Sequence, residues 1–263
     1  MSTIRKAAVA GSFYADNKEQ LAHDVIGFLN NANANQSLPK AIIAPHAGYI
    51  YSGPIAASAY ACLKNYMQQI KRVVLIGPAH RCAVNGLAFP SVDFFATPLG
   101  SIKVDKEAIF SITKNPAVII DDEAHAEEHC LEVQLPFLQI LLKSFSIVPI
   151  LVGQATPAMV SSTLEQLWDG KETLIIISSD LSHYYKYSEA QRLDEAAVDA
   201  ILNLDMHALG EQNACGRLPI KGLLQIAKQK KLIPKLIDLR NSGDTAGSKD
   251  QVVGYGAFHF YEE

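Results

Sequence analysis

Short apolar runs alternate along the chain with longer segments in which apolar positions follow a helical period. The runs predict four buried strands, at residues 41–44, 73–76, 147–152 and 174–177. The periodic segments predict five helices, at residues 53–67, 126–142, 157–168, 188–203 and 217–230. Because continuous apolar runs are typical of strands covered on both faces, this order predicts βαβ units around a largely parallel sheet.

Two further segments add β structure to this pattern. In residues 91–104 a proline and a glycine separate two short β-prone runs, which predicts a hairpin at a sheet edge. Strands are also expected at residues 235–240 and 252–261. No internal repeat or linker-like stretch divides the 263 residues. We therefore expect an α/β fold in a single domain over residues 1–263, with a largely parallel or mixed central sheet flanked by helices.

Composition and charge narrow the function classes. Apolar residues make up 49% of the chain and charged residues 19%, which is typical of a packed globular protein rather than a disordered or fibrous one. A net charge of −4 without a basic face argues against a nucleic-acid partner. No apolar stretch approaches the roughly 20 residues that span a bilayer, and the first residues lack the apolar core of a signal peptide. We expect a cytoplasmic protein without a membrane partner.

Three of the four buried runs are followed by a histidine just past their carboxyl ends. These residues are His46, His80 and His183. A single loop histidine often does no more than bond to a nearby backbone carbonyl. In open α/β sheets, however, ligands bind beyond the carboxyl ends of the strands, so three equivalent positions favour one shared pocket.

The four cysteines form no C-x-x-C pair, and a chain of this length does not need disulfides to fold, so reduced thiols are expected. Cys62 lies in an alanine-rich stretch and is expected in the core. Cys82, Cys130 and Cys215 each stand near a candidate site residue. Cys215 precedes a predicted helix, whose dipole would favour its thiolate. A buried structural thiol explains Cys215 equally well.

Several sequence blocks, in order along the chain, resemble the Memo family. The blocks are AVAGSFY (8–14), IIAPHAGYIYSGPIAASAY (42–60), LIGPAH (75–80), EEHCLEVQLPF (127–137), VPILVG (148–153), SSDLSHY (178–184), ACGRLPI (214–220) and VGYGAF (253–258). They extend from near the first residue to the last predicted strand. A set of blocks in the same order is far more specific than any single motif.

The resemblance implies a fold shared with class III extradiol ring-cleavage dioxygenases, which bind iron through two histidines and a carboxylate. It places His46 and His80 at the two histidine positions and Cys215 at the position of the carboxylate. It also implies bound iron or copper at this set. Imidazole and thiolate together suit Cu(I), Zn(II) or Fe(II), so iron or copper is the expected cofactor and zinc the third choice.

The resemblance also implies catalytic residues beside the metal. His183 takes the place of the acid–base histidine, and Asp180 is close enough in sequence to orient it. His129 is a second candidate for the pocket wall. Glu132, one helical turn beyond His129, is either an orienting partner or a solvated charge, and the second interpretation is favoured.

One motif points elsewhere. His125 to His129 fits the H-x-x-E-H pattern of an inverted zinc protease, in which both histidines share a helix face. Such short patterns arise easily by chance, no second zinc-ligand segment is evident, and the Memo pattern accounts for His129 without His125. The chain also lacks G-x-G-x-x-G, Walker and G-x-S-x-G motifs, which argues against nucleotide-binding and serine-hydrolase functions.

Four functional hypotheses remain open from the sequence. The first is a metal-dependent redox or oxygen-using enzyme. The second, suggested by animal relatives described as phosphotyrosine adaptors, is a binding module, for which Arg217 and Arg81 are the nearest basic residues. The third, suggested by microbial relatives, is a pathway shared with AMMECR-type and radical SAM partners; the chain lacks the cysteine triplet of a radical SAM cluster. The fourth is a thiol hydrolase with Cys215 as nucleophile and His183 as base.

Overall fold

The apolar runs form the centre of a large mixed sheet in the computed structural model, which describes residues 2–33 and 37–262. The strands are β1 (Ile4–Arg5), β2 (Ala41–Ala44), β3 (Arg72–Pro78), β4 (Leu87–Phe89), β5 (Phe94–Thr97), β6 (Gly100–Val104), β7 (Val118–Ile120), β8 (Ser146–Val152), β9 (Thr173–Ser178), β10 (His183–Tyr185), β11 (Ile233–Asn241) and β12 (Val252–Tyr261). Their order is β1-β5-β6-β8-β3-β9-β2-β12-β10, with β11 paired to β12 and β4 paired to β7 and β8.

The four predicted central strands are confirmed and lie side by side. β8, β3, β9 and β2 pair in parallel, so their carboxyl ends reach the same edge of the sheet. β12 pairs antiparallel to β2 and makes the sheet mixed. The side chains of β2 and β9 are buried along their whole length, as their unbroken apolar sequences require.

Eight α-helices cover the sheet in the described ranges. They are α1 (Lys18–Asn31), α2 (Tyr49–Tyr60), α3 (Lys106–Ile112), α4 (Asp122–Ala126), α5 (Leu135–Leu141), α6 (Pro157–Gln166), α7 (Tyr187–Leu202) and α8 (Arg217–Gln229), with 3-10 turns at Ala61–Asn65, Glu132–Gln134 and Ser242–Asp244. The predicted helices at 157–168, 188–203 and 217–230 are confirmed as α6, α7 and α8. α6 and α8 pack closely, since a Cβ on Gly222 would lie 2.3 Å from Val160. None of the helices in these ranges is long and apolar enough to cross a membrane.

The helix predicted over residues 126–142 is wrong in its first half. The chain leaves α4 at Ala126 and becomes helical again only at Glu132. In between, the backbone N–H groups of His129 and Cys130 donate to the side chain of Glu128 instead of to a preceding turn. A side chain that captures backbone donors competes with helix formation, and an apolar period does not reveal this competition.

The hairpin predicted in residues 91–104 is confirmed as β5 and β6, which pair antiparallel. The two-residue strand β1 pairs in parallel with β5 and lies outside the hairpin at the sheet edge. β1, β4 and β7 are two or three residues long. Segments this short carry no detectable period, so the sequence did not reveal them. The structure is an α/β domain with a mixed sheet flanked by helices, as expected.

Candidate metal centre

His46, His80 and Cys215 meet at the carboxyl edge of the sheet. His46 follows β2, His80 follows β3, and both strands flank β9, which brings the two loops together. Cys215 precedes α8, and its Sγ lies 3.3 Å from Nε2 of His46. One ligand atom from each residue lies within 4.8 Å of the others. Ligands bound about 2.0–2.3 Å from a tetrahedral metal are on the order of 3.5 Å apart, so the group fits one ion.

A hydrogen-bond network fixes the tautomer of His46. The hydroxyl of Ser178 donates to the carbonyl of Cys130 at 2.6 Å and lies 3.0 Å from Nδ1 of His46. Because that hydroxyl proton is already engaged, Nδ1 must be the donor, and the lone pair is left on Nε2. Burial, followed by the neighbouring His80 and His129, holds the pKa of His46 well below its usual value. The ring is therefore neutral, the form that binds a metal.

A buried carboxylate orients His80. Nδ1 of His80 lies 2.9 Å from Oε1 of Glu128, and the backbone N–H of His80 donates to Oε2 at 2.6 Å. Burial alone would raise the pKa of Glu128, but hydrogen bonds from His129 and His80 outweigh it and hold that pKa far below its usual range. The charged carboxylate thus accepts a hydrogen bond from Nδ1–H, which leaves the lone pair of His80 on Nε2.

The surroundings of Cys215 contradict an interpretation drawn from the sequence. Burial, and then the charge of Asp180, raise the pKa of Cys215 to about 12, although hydrogen bonds with the backbone of Asp180, the side chain of Ser179 and the backbone of Gly216 act in the opposite direction. The helix dipole therefore does not produce a thiolate in the metal-free protein. A bound metal ion would displace the proton, since thiolate is the form that binds.

Asp180 lies in the loop after β9 and His183 begins β10, and the two residues have different partners. Oδ1 of Asp180 accepts the backbone N–H of His46 at 2.7 Å, and burial raises the pKa of this carboxyl. The ring of His183 is held by the carbonyl of Leu181, 2.9 Å from Nδ1. Asp180 thus fixes the loop of His46, whereas the sequence predicted that it orients His183. Nε2 of His183 keeps its lone pair.

An open cavity of about 620 Å³ adjoins this group. Its lining includes His46, His80, His129, Asp180 and His183, together with the aromatic residues Phe13, Tyr51, Tyr184 and Tyr255. Within the described residues, its lining includes no lysine or arginine. Tyr184 has a left-handed backbone, with φ of 62°, and is 69% exposed at the cavity. The cavity thus offers a planar ligand aromatic walls and several proton acceptors.

His129 stands in the cavity wall, as the sequence predicted. Its ring stacks on that of His80 with centroids 4.8 Å apart, meets His46 edge-on at 5.4 Å and contacts Phe13 at 4.8 Å. His80, Glu128 and His129 form a second group of metal-ligand type. The oxygens of Glu128 already accept hydrogen bonds from backbone N–H groups. We therefore assign this second group the role of orienting His80, not of binding a second ion.

Glu132 is not a solvated charge, and that prediction is wrong. It is buried, forms an ion pair with the buried Arg5 and accepts the hydroxyl of Tyr14. Its carboxylate also accepts the backbone N–H groups of Ala8 and Val9 at 2.7 and 3.1 Å. Glu132 therefore ties the N-terminal segment to the loop that carries His129.

The H-x-x-E-H pattern does not form a zinc site. α4 ends at Ala126, so the two histidines do not share one helical face. Nε2 of His125 lies 3.1 Å from the carbonyl of Ala88, and its ring meets that of Phe95. Burial lowers the pKa of His125 to about 4. His125 is a neutral core residue, whereas His129 faces the cavity.

The two arginines suggested for phosphate recognition lie away from this cavity. Arg217 pairs with Glu211 at 2.8 Å and lines a separate cavity of about 290 Å³ that also contains Cys82 and Cys215. Arg81 is exposed and does not line the larger cavity.

Sequence reasoning assigned no role to Glu128 or Ser178, which orient the two histidines. Gln134, which donates to Ser178 at 2.8 Å, was likewise missed. All three lie within the blocks that resemble the Memo family. Their polar side chains within largely apolar blocks were the one sign of a role in the sequence. Their hydrogen-bond partners lie in distant elements, so the sequence did not show what that role is.

The fold and this group together define an α/β protein with a metal-type His/His/Cys cluster at the carboxyl edge of its sheet. Comparison with known proteins gives the family. The family model described as Memo-like protein matches residues 5–259, and the chain belongs to the Memo family.

Its relatives match over almost their whole length. MEMO1 family proteins of Metallosphaera sedula and Sulfolobus acidocaldarius are 33% and 35% identical over 282 aligned positions, covering 97% and 98% of this chain and 99% of each relative. A MEMO1 family protein of Thermoplasma volcanium is 34% identical over 266 positions, with 97% of both chains covered.

Proposed function

We propose that this protein is a metal-dependent enzyme that performs redox or oxygen-using chemistry on a small substrate. The observation that carries the proposal is the convergence of one ligand atom each from His46, His80 and Cys215 within 4.8 Å of one another, with Nδ1 of both histidines engaged elsewhere. Iron or copper is the proposed metal. When bound by these three ligands, it would supply a redox-active Lewis acid with a coordination position open to substrate or oxygen.

The proton acceptor in this proposal is His183. Because its Nδ1 donates to the carbonyl of Leu181, Nε2 is the atom that accepts a proton from a substrate hydroxyl and returns it later. The substrate would lie in the adjoining cavity, between the rings of Phe13, Tyr51 and Tyr255. These walls favour a planar molecule and keep part of the bulk water away from the reacting groups.

Metal content tests the proposal directly. The protein is purified anaerobically without a histidine tag, as wild type and as Cys215→Ser, from cells supplied with iron and copper. Elemental analysis is expected to find nearly one equivalent of iron or copper in the wild type and its loss in the variant. A wild-type protein without metal from the same cells would contradict the proposal.

The thiol-hydrolase alternative is less compatible with the site. A nucleophilic cysteine needs a thiolate near neutral pH, but burial and then Asp180 raise the pKa of Cys215 to about 12. We expect iodoacetamide to label Cys215 of the metal-free protein slowly at pH 7, with unfolding in urea making labelling fast. Rapid labelling of the native protein, located by peptide mass spectrometry, would favour the hydrolase.

A second candidate is a binding module that retains the cavity without turnover. The exposed rim favours it, since Tyr184, which lines the cavity, is 69% exposed. The described lining of the cavity contains no lysine or arginine, which argues against phosphotyrosine as its ligand. Calorimetric titration of metal-free protein with phosphotyrosine peptides and with catechols distinguishes the two candidates. Saturable peptide binding that Tyr184→Ser abolishes would support the module.

A further inference from the structure

Glu128 lies between α4 and α5, and its carboxylate accepts hydrogen bonds from N–H groups of His80, His129 and Cys130. Oε2 accepts the backbone N–H of His80 at 2.6 Å, and Oε1 lies 2.9 Å from Nδ1 of the same residue. The backbone N–H groups of His129 and Cys130 also donate to Oε1, at 3.0 and 3.1 Å. Glu128 is 2% exposed, so water does not replace these donors. The carboxylate is fully engaged and binds His80 at two points.

His80 depends on this contact more than His46 depends on any single partner. The side chain of His80 is 28% exposed at the edge of the open cavity, whereas His46 is 2% exposed and enclosed by protein. Glu128 is the described partner of Nδ1 of His80. Without it, the ring still stacks on His129, but the proton can lie on either nitrogen. One carboxylate thus decides which nitrogen of His80 carries the proton.

The backbone of Glu128 is itself fixed. The guanidinium of Arg5 donates to the carbonyl of Glu128 at 2.6 Å and to that of His125 at 2.9 Å. Arg5 is buried and also pairs with Glu132. The N-terminal segment therefore holds the loop in the position from which the carboxylate reaches His80.

We propose that Glu128 is a positioning residue of the metal centre, which holds His80 in the Nδ1–H form and presents its Nε2 together with His46 and Cys215. The inference rests on the proposed function for its metal, but the orientation of His80 is a property of the metal-free chain. Outer carboxylates that receive a ligand histidine's N–H raise the basicity of that ligand and fix its ring.

Replacing Glu128 by methionine separates this role from simple space filling, because methionine has a similar length and no acceptor oxygen. Glutamine is the conservative comparison. With its NH₂ group at the Oε2 position, a glutamine loses only the contact with the backbone of His80, and its oxygen still accepts from Nδ1. Because Oε1 faces three N–H donors and Oε2 faces one, this orientation is the favoured one.

The first experiment is nitrogen-15 NMR of the imidazole groups in metal-free protein at alkaline pH. We compare the wild type with Glu128→Met, Glu128→Gln, Glu128→Asp and the control Glu127→Gln, which changes the exposed neighbour. The wild type and the control are expected to show His80 as the Nδ1–H tautomer. Glu128→Met is expected to show the Nε2–H form or a mixture. Glu128→Gln and Glu128→Asp are expected to retain the wild-type tautomer at least in part, because each keeps an acceptor oxygen.

The second experiment measures Co²⁺ affinity, with chelator competition and the absorption of the cobalt–thiolate bond as readout. Glu128→Met is expected to weaken binding on the order of 10- to 100-fold, with Glu128→Gln and Glu128→Asp intermediate and Glu127→Gln unchanged. A wild-type tautomer and affinity in folded Glu128→Met would overturn the inference. So would an affinity loss that accompanies a general loss of thermal stability while the tautomer is unchanged. If the wild type binds no metal, the proposed function fails, and the tautomer comparison still decides the role of Glu128.

Discussion

Sγ of Cys215 lies 3.3 Å from Nε2 of His46, and this contact brings a soft ligand into a site otherwise built from imidazole. In the proposed metal centre, the nature of this third ligand would therefore control which metal is preferred. Thiolate favours Cu(I), whereas two histidines with a carboxylate favour Fe(II).

We predict that Cys215→Asp shifts the ratio of Fe(II) to Cu(I) affinity on the order of 100-fold toward iron. Competition with chelators specific for each metal under anaerobic conditions measures both affinities. Cys82→Ser is the control, because Cys82 lies outside the ligand group. An unchanged ratio would mean that Cys215 is not a ligand.

We predict that His183→Gln lowers turnover without removing the metal. His183 lines the cavity but is not a member of the group formed by His46, His80 and Cys215. Loss of a general base typically costs about 10²- to 10⁴-fold in rate. Oxygen consumption with a panel of catechols, together with metal content, provides the measurement. Simultaneous loss of metal would show that His183 acts in binding instead.

We predict that Arg5→Met destabilises the protein by about 3–5 kcal/mol, because it leaves the buried carboxylate of Glu132 without its ion-pair partner. Two backbone carbonyls would also lose their donor. Urea unfolding followed by circular dichroism measures the change. The matched control is Glu211→Gln, which breaks an ion pair whose carboxylate is 84% exposed and should cost about 1 kcal/mol or less. Equal effects of the two variants would contradict the buried network.

We predict a pH-dependent difference in stability between the wild type and Asp194→Asn. Burial raises the pKa of Asp194 from 3.8 to about 6, so the folded protein keeps a proton there that the unfolded chain releases. The stabilising contribution of this proton is complete below pH 4 and is lost as the pH rises through 6. Asparagine retains an oxygen for the N–H of Ser182, which donates to Oδ1 at 3.0 Å, and it does not ionise.

The variant should therefore gain stability over the wild type between pH 4 and pH 6, by up to about 3 kcal/mol, and keep that gain at higher pH. Urea titrations at several pH values measure the difference. Asp199→Asn, which changes an exposed carboxylate of the same helix, is expected to show no such step. A constant difference between wild type and Asp194→Asn across this range would contradict the assignment.

Local sequence patterns were sufficient to predict much of the fold and the location of the candidate site. The apolar runs predicted β2, β3, β8 and β9, because a strand buried on both faces has to be apolar throughout. Their parallel pairing then placed His46 and His80 at one edge. The Memo-like blocks added Cys215, whose place in the group the helix pattern alone did not indicate.

The same patterns failed where one polar side chain replaces a regular backbone contact. Residues 126–142 have a helical period, yet Glu128 captures the N–H groups of His129 and Cys130 and interrupts the helix. Glu132 has the spacing of a surface charge, but its partner Arg5 lies 127 positions away in the chain. Whether an acidic residue faces water or buried donors depends on such distant partners, and a local period contains no information about them.

By itself, the sequence determined the α/β class, the central parallel strands, the carboxyl-edge position of the histidines and the family. These properties follow from apolar periodicity and from ordered local blocks, which act over a few neighbouring residues. Only the tertiary structure decided that Ser178 and Glu128 orient the two histidines and that Asp180 accepts the backbone N–H of His46. It also decided that the Cys215 thiol stays protonated without metal. Hydrogen-bond partners 132 and 48 positions apart, and burial by many elements at once, set these properties. They exist only after the chain has folded.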